Sequence, residues 1–110
     1  MVDLELEVFH GLSLNINSGG RRVGFIDAWE DDDVERGVWV EYVYVLGGFR
    51  CSGFGSEAVR RAIQGWGEMG FEVVSLDDIH WEEPEDFWGS LGFSGDGKRK
   101  SLLIRGAPWL

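Results

Sequence analysis

The chain has 110 residues and a mass of 12.4 kDa, the size of one domain built around one hydrophobic core (residues 1–110). Hydrophobic residues make up 44% and charged residues 27%, which excludes wholesale disorder, and no apolar run reaches the roughly 20 residues of a membrane helix. Twenty acidic side chains against ten basic ones leave a net charge of −10, a field that repels a phosphate backbone and argues against nucleic acid as a partner.

The first third reads as strands. Leu4, Leu6 and Val8 alternate with acids, and His10–Gly11 reads as a bend. Leu12, Leu14 and Ile16 continue the alternation to Asn17–Ser18–Gly19–Gly20, a turn signal, and Arg21 to Trp29 returns as the second hairpin arm. Glu30 to Glu35 carries five acids around Val34 and reads as a solvated loop. Val38 to Leu46 is the most β-prone segment. Strict alternation puts Trp39, Glu41, Val43 and Val45 on one face and Val38, Val40, Tyr42 and Tyr44 on the other. Both faces are largely apolar, which predicts a central strand covered on both sides, with the two tyrosines in the core.

A glycine-rich segment from Gly47 to Gly55 leads into the clearest helix, Ser56 to Met69, with Val59, Ala62, Ile63 and Trp66 on one face and Gly70 as its stop. Ser56 is a candidate N-cap. Phe71 to Leu76 is a further apolar strand, so a strand, a helix and a parallel strand form a βαβ unit. A short helix is predicted from Pro84 to about Leu91, stopped by Gly92. Phe93 begins an edge strand, Gly95–Asp96–Gly97 turns, and Ser101 to Arg105 is the last strand. The fold class is therefore α/β, a mixed sheet with antiparallel strands first and a βαβ unit at its centre.

Residue usage narrows the setting. One cysteine, Cys51, forbids an intrachain disulfide and a thiolate metal cluster, so no metal is expected and a reducing, cytoplasmic location fits. The acidic start, without a basic stretch, does not read as a signal peptide. Eight arginines and only two lysines beside twenty acids suit a salt-rich host, where screening tames self-repulsion; an ordinary acidic protein would look the same.

The informative stretch is Arg50–Cys51–Ser52–Gly53–Phe54–Gly55–Ser56, between a central strand and a helix start. Glycines there let a ligand approach the backbone, and successive N–H groups with the helix dipole favour an anion. A turn that only joins strand to helix has the same composition. The segment is neither a P-loop, since no Gly-Lys-Ser/Thr occurs, nor a dinucleotide fingerprint, since the third glycine is lacking. Cys51 beside Arg50 at a helix start would be acidified, but no histidine is placed to partner it as a nucleophile.

Arg50-x-x-Gly53-x-Gly55, with Val45 five residues before the arginine, resembles the signature of the GNAT superfamily of acetyl-CoA-dependent N-acetyltransferases, Arg/Gln-x-x-Gly-x-Gly/Ala. Phe87–Trp88–Gly89–Ser90–Leu91–Gly92–Phe93 is similar to the family's Phe-Tyr-x-x-Leu-Gly-Phe, in the right order and at the right distance, and Gly20 to Ile26 is similar to its second and third strands. The resemblance covers residues 12–105 and implies two splayed parallel strands, near Val43–Val45 and Val73–Leu76. The pantetheine arm of acetyl-CoA would lie between them, with its pyrophosphate on the backbone of Arg50, Cys51, Ser52, Gly53, Phe54, Gly55 and Ser56. Backbone near Val43 and Val45 would hold the thioester carbonyl. The implied activity is direct acetyl transfer to a primary amine of a small molecule or a protein.

Three departures stand out. The tyrosine that serves the family as general acid maps onto Trp88, whose indole N–H cannot relay a proton. An asparagine often found seven residues earlier maps onto Trp81. Nothing helical is predicted between Val2 and Val45, so the family's first two helices, one wall of the acceptor site, are absent or replaced by a partner such as a second copy. These departures keep a catalytically inactive acyl-CoA-binding or interaction module as the alternative. Glu41 is the candidate general base, on the premise that burial would raise its pKa. His80 is a second candidate, and Trp109, beside Pro108, is a candidate exposed contact for another chain.

Overall fold

In the computed structural model six strands pair in chain order into one mixed sheet. The structure describes residues 3–77, 87–95 and 99–110, with the backbone alone for 50–52. Strands β1 (Glu5–His10) and β2 (Ser13–Ser18) form a hairpin across Gly11–Leu12, with Gly11 in the left-handed region at φ 57°. Gly19 and Gly20, at φ 60° and 77°, turn β2 into β3 (Arg21–Glu30). Two consecutive positive φ angles give the primed turn whose twist matches a hairpin, and this is why glycine occupies both positions. After an acidic loop, closed by the Asp31 amide donating to the Gly37 carbonyl at 2.9 Å, the chain enters β4 (Gly37–Val45). No helix lies between residues 3 and 45.

Beyond β4 a 3-10 turn over Gly47–Ser52 leads to helix α1 (Phe54–Glu68). The helix begins two residues earlier than Ser56, because Gly53, at φ 83°, takes the N-cap. Its end is a Schellman motif: Gly70, at φ 103°, donates to the Gly67 carbonyl, and Phe71 donates to that of Trp66. Strand β5 (Val73–Asp77) lies parallel to β4 and completes the βαβ unit. Helix α2 is described from Phe87 to Ser90; the predicted start at Pro84 lies outside the described residues. Gly92, at φ 98°, closes α2 by the same motif, with Gly92 bonded to Gly89 and Phe93 to Trp88. Phe93 is buried and begins no strand; only Ser94 bridges to Ser101. Asp96 and Gly97 of the predicted turn lie outside the described residues. The last strand, β6, spans Arg99–Leu103 rather than 101–105, since Ile104–Gly106 curls into a 3-10 turn whose Ile104 side chain packs at Gly67.

One core lies between α1 and the sheet. Ala58, Val59, Ala62, Ile63 and Trp66 meet Ile16, Ile26, Val38, Val40, Val43, Val45, Val74 and Leu76. Leu91, Phe93 and Leu102 extend this layer on the same side. The opposite face carries no helix among the described residues, so the expectation that β4 is covered on both sides is corrected: β4 is central in the sheet but buried on one face. The β1 pattern is also only half realised. Leu4 is buried and Leu6 partly so, but Val8 is 71% exposed, on an open groove that it lines with Gly65, Trp66 and Met69 at the end of α1.

Candidate functional site

The β4–β5 ladder runs in register from Gly37–Val73 to Val40–Leu76. From there β4 continues through residues 41–45, while the described part of β5 ends at Asp77. Among the described residues the two parallel strands thus pair at one end only. The described pairing ends where β4 is irregular. On its β3 side Asp27 faces Tyr42 but Ala28 faces Val40, so Glu41 is an extra residue, a β-bulge.

The bulge resets which way every later side chain points. Val38 and Val40 are buried, Glu41 and Tyr42 are both exposed, and Val43 and Val45 are buried again. Glu41 therefore does not share a face with Val43 and Val45, as strict alternation predicts; it lies with Trp39, whose indole N–H donates to its carboxylate at 2.9 Å. Its exposure also removes the burial on which its candidacy as a desolvated base rested. Tyr42 and Tyr44 do face away from Val43 and Val45, but outward rather than into a core. Both stack on Phe25 of β3, at 5.9 and 5.7 Å between ring centroids, and Tyr42 is 37% exposed. Arg22 lies 5.2 Å over the Phe25 ring, and Arg99, ion-paired to Asp31 at 3.0 Å, lies 5.3 Å over Trp39. The outer face of β3–β4 is thus an aromatic shelf edged by carboxylates and guanidinium groups.

Beyond the end of β4 and the 3-10 turn stands the start of α1. Gly53 offers no side chain to cap the helix, and the first-turn N–H groups have no partner within the helix by geometry. Glu57, the one acid in that turn, is paired with Arg61 at 3.0 Å and Arg60 at 3.4 Å, which offsets its repulsion of an anion. A Cβ on Gly55 would stand 3.5 Å from the Phe87 ring and 3.9 Å from Val45, so a methyl group fits there and a larger group does not. Phe54 and Gly55 are buried, Ser56 is partly so, and Gly53 is exposed. The side chains of Arg50, Cys51 and Ser52 lie outside the described residues, as do His80 and Trp81. This end therefore offers backbone N–H groups without a side-chain cap, the kind of donor that an anionic group such as a pyrophosphate uses.

Trp88 is 5% exposed, with its ring edge-on to Phe87 at 4.9 Å and to Phe93 at 5.2 Å. It belongs to the buried core. Trp109 is not an exposed tail residue: it is half-buried, and its indole N–H donates to the Leu91 carbonyl at 2.8 Å. Sequence reasoning placed Tyr42 in the core and passed over Asp27 opposite it. A signal for them existed: the valines at 38, 40, 43 and 45 are spaced two, three and two, and the three marks the bulge. No helix among the described residues is long and apolar enough to cross a membrane, and no group of metal-ligating side chains occurs among them.

Residues 3–93 match the model of the acetyltransferase (GNAT) family. None of the curated proteins matches the chain. Solved structures do. An aminoglycoside 6'-acetyltransferase type Ii superposes with a TM-score of 0.71 at 20% identity, over 87% of this chain and 70% of that one. The ribosomal-protein-S18-alanine N-acetyltransferase from Escherichia coli gives 0.69 at 16%, over 89% and 72%. The PaiA N-acetyltransferase from Thermoplasma acidophilum, in complex with coenzyme A, gives 0.65 at 17%, over 82% and 57%. At such identities the likeness is one of fold.

Proposed function

The chain belongs to the GNAT family of acetyltransferases, and from that premise we propose that it transfers an acetyl group from acetyl-CoA directly to a primary amine. The observations that support this reading are the end of the described β4–β5 pairing at Val40–Leu76, where β4 bulges, and a helix start after β4 that lacks a side-chain cap. Acetyl-CoA, when bound, supplies an acyl thioester open to attack. The residues to hold it fit: backbone N–H groups of Gly53, Phe54, Gly55 and Ser56 for the pyrophosphate, Arg50 at the signature position for its charge, and the β4 backbone at Val43 and Val45 beyond that pairing. Glu41, at the bulge and open to solvent, is the base for the ammonium proton of the acceptor. The acceptor is an amine of a small molecule or of a protein. With no helix between residues 3 and 45, its wall on that side comes from the bare sheet or from a second copy of the chain.

Calorimetric titration with acetyl-CoA at low and high salt tests the reading. Micromolar binding is expected, weakened about tenfold or more in Arg50→Ala, where a charge-assisted contact is lost. Gly55→Trp is expected to abolish it, because Phe87 and Val45 leave room for a methyl group only. Unchanged affinity in both variants would remove the assignment of this turn to the pyrophosphate. Glu41→Gln is expected to lower turnover at neutral pH, and full activity there would remove Glu41 as the base.

A further inference from the structure

We propose that Tyr42 is the general acid of the transfer, the proton donor to the departing thiolate, taking the role that a buried Trp88 cannot fill. The proposal rests on the transferase reading above. An ordinary strand would put Glu41 and Tyr42 on opposite faces; the bulge puts two consecutive side chains, a carboxylate and a phenol, on the same face. It does so one residue beyond the last described β4–β5 pair, Val40–Leu76. A direct acyl transfer needs one group to accept a proton from the amine and another to supply one to sulfur. This pair provides both. Trp88 is in the core among Phe87 and Phe93, and an indole has no proton to relay.

The balance closes. The acceptor ammonium gives a proton to the Glu41 carboxylate, and the freed amine attacks the thioester carbonyl. The new N–C bond forms, the C–S bond breaks, and sulfur leaves with its electron pair. Sulfur takes the Tyr42 phenolic proton, giving the free thiol. The remaining amine proton goes to solvent, and the adjacent Glu41 returns its own proton to the Tyr42 oxygen. Phe25 fixes the phenol by stacking at 5.9 Å, so the tyrosine need not be ordered at each turnover. The charged groups around it are Glu41 beside it, Asp27 facing it from β3, Arg22 over the Phe25 ring, and Asp77 and Arg99 toward β5 and β6.

The test uses Tyr42→Phe, which keeps the stack and removes only the hydroxyl, with Tyr44→Phe as a control on the same face. Free coenzyme A is titrated with base in the presence of each protein, following the ultraviolet absorbance of its thiolate. A phenol that donates to the sulfur favours the charged form, so the thiol bound to wild type and to Tyr44→Phe should ionise about one pH unit lower than that bound to Tyr42→Phe. With acetyl-CoA and an accepted amine, Tyr42→Phe should lose about 10- to 100-fold in kcat with little change in the KM for acetyl-CoA. Equal thiol titrations in the wild type and Tyr42→Phe, or an unaltered kcat, would overturn the role of Tyr42 and leave the transferase reading intact. Failure of wild type to bind coenzyme A, or to release thiol with any amine, would overturn both.

Discussion

The two faces of β4 are built from different chemistry on one strand. Inward it carries Val38, Val40, Val43 and Val45, all buried against α1 or the layer beside it. Outward it carries Trp39, Glu41, Tyr42 and Tyr44, half-buried or exposed and joined sideways to Phe25, Arg22 and Arg99. Burial decides the first set: a β-branched side chain is stiff, packs well on a pleated surface, and asks for no hydrogen bond. The second set needs water at its edge, because each phenol, indole or carboxylate must find a polar partner. The bulge at Glu41 lets one strand serve both demands, since it adds a residue outward without moving a valine.

That contrast breaks most sharply by truncation. Ile63, fully buried on α1, should cost about 2–5 kcal/mol as alanine, from lost transfer energy and the cavity left behind. Trp29, 47% exposed on the outer face, should cost less than about 1 kcal/mol despite its larger size. Urea midpoints at constant m measure both, and similar losses would mean that the outer face is covered in solution. Next in size is Gly24→Ala. A Cβ there would collide with the Tyr44 carbonyl, and a backbone neighbour cannot swing aside like a side chain. A loss of about 1–3 kcal/mol is expected, with β3 and β4 forced apart. An unchanged midpoint would show that this strand pair yields more easily than its register implies.

Much of the fold was legible in the sequence because its signals are local. Gly19–Gly20, Gly70 and Gly92 stand where positive φ is required, and each marks an element end within a residue or two. The spacing of Val59, Ala62, Ile63 and Trp66 revealed the face of α1. The candidate site was legible only in part. Arg50 to Ser56 announce themselves by composition, yet the direction of Glu41 and Tyr42 depends on a register shift against β3, a non-local fact. Reading the segment as strict alternation put Glu41 with the wrong valines and the tyrosines in a core, whereas the described residues leave their face half-buried or exposed. Uncovered apolar residues such as Val8 were misjudged for a related reason: an alternating pattern tells which residues share a face, not whether a helix covers it.

The smallest expected effect on stability is also the most specific probe of the two faces. Deleting Glu41 alone removes the extra residue, so that Tyr42 follows Val40 and both pair with the consecutive Asp27 and Ala28. Every valine keeps its inward place and every aromatic its outward one, because alternation is restored rather than shifted. Among the described residues the side-chain contact given up is the exposed bond from Trp39, so the midpoint should move by less than about 1 kcal/mol. Acetyl transfer should nevertheless be lost, since the proposed base is gone and the irregularity at which the described β4–β5 pairing ends is removed with it. Deleting Val43 is the opposite case: it also shortens β4 by one residue, but it turns Tyr44 inward and Val45 outward against a buried helix start, and the chain should fail to fold. If the two deletions were equally damaging, the bulge would be a structural necessity of the sheet rather than an addition to its outer face.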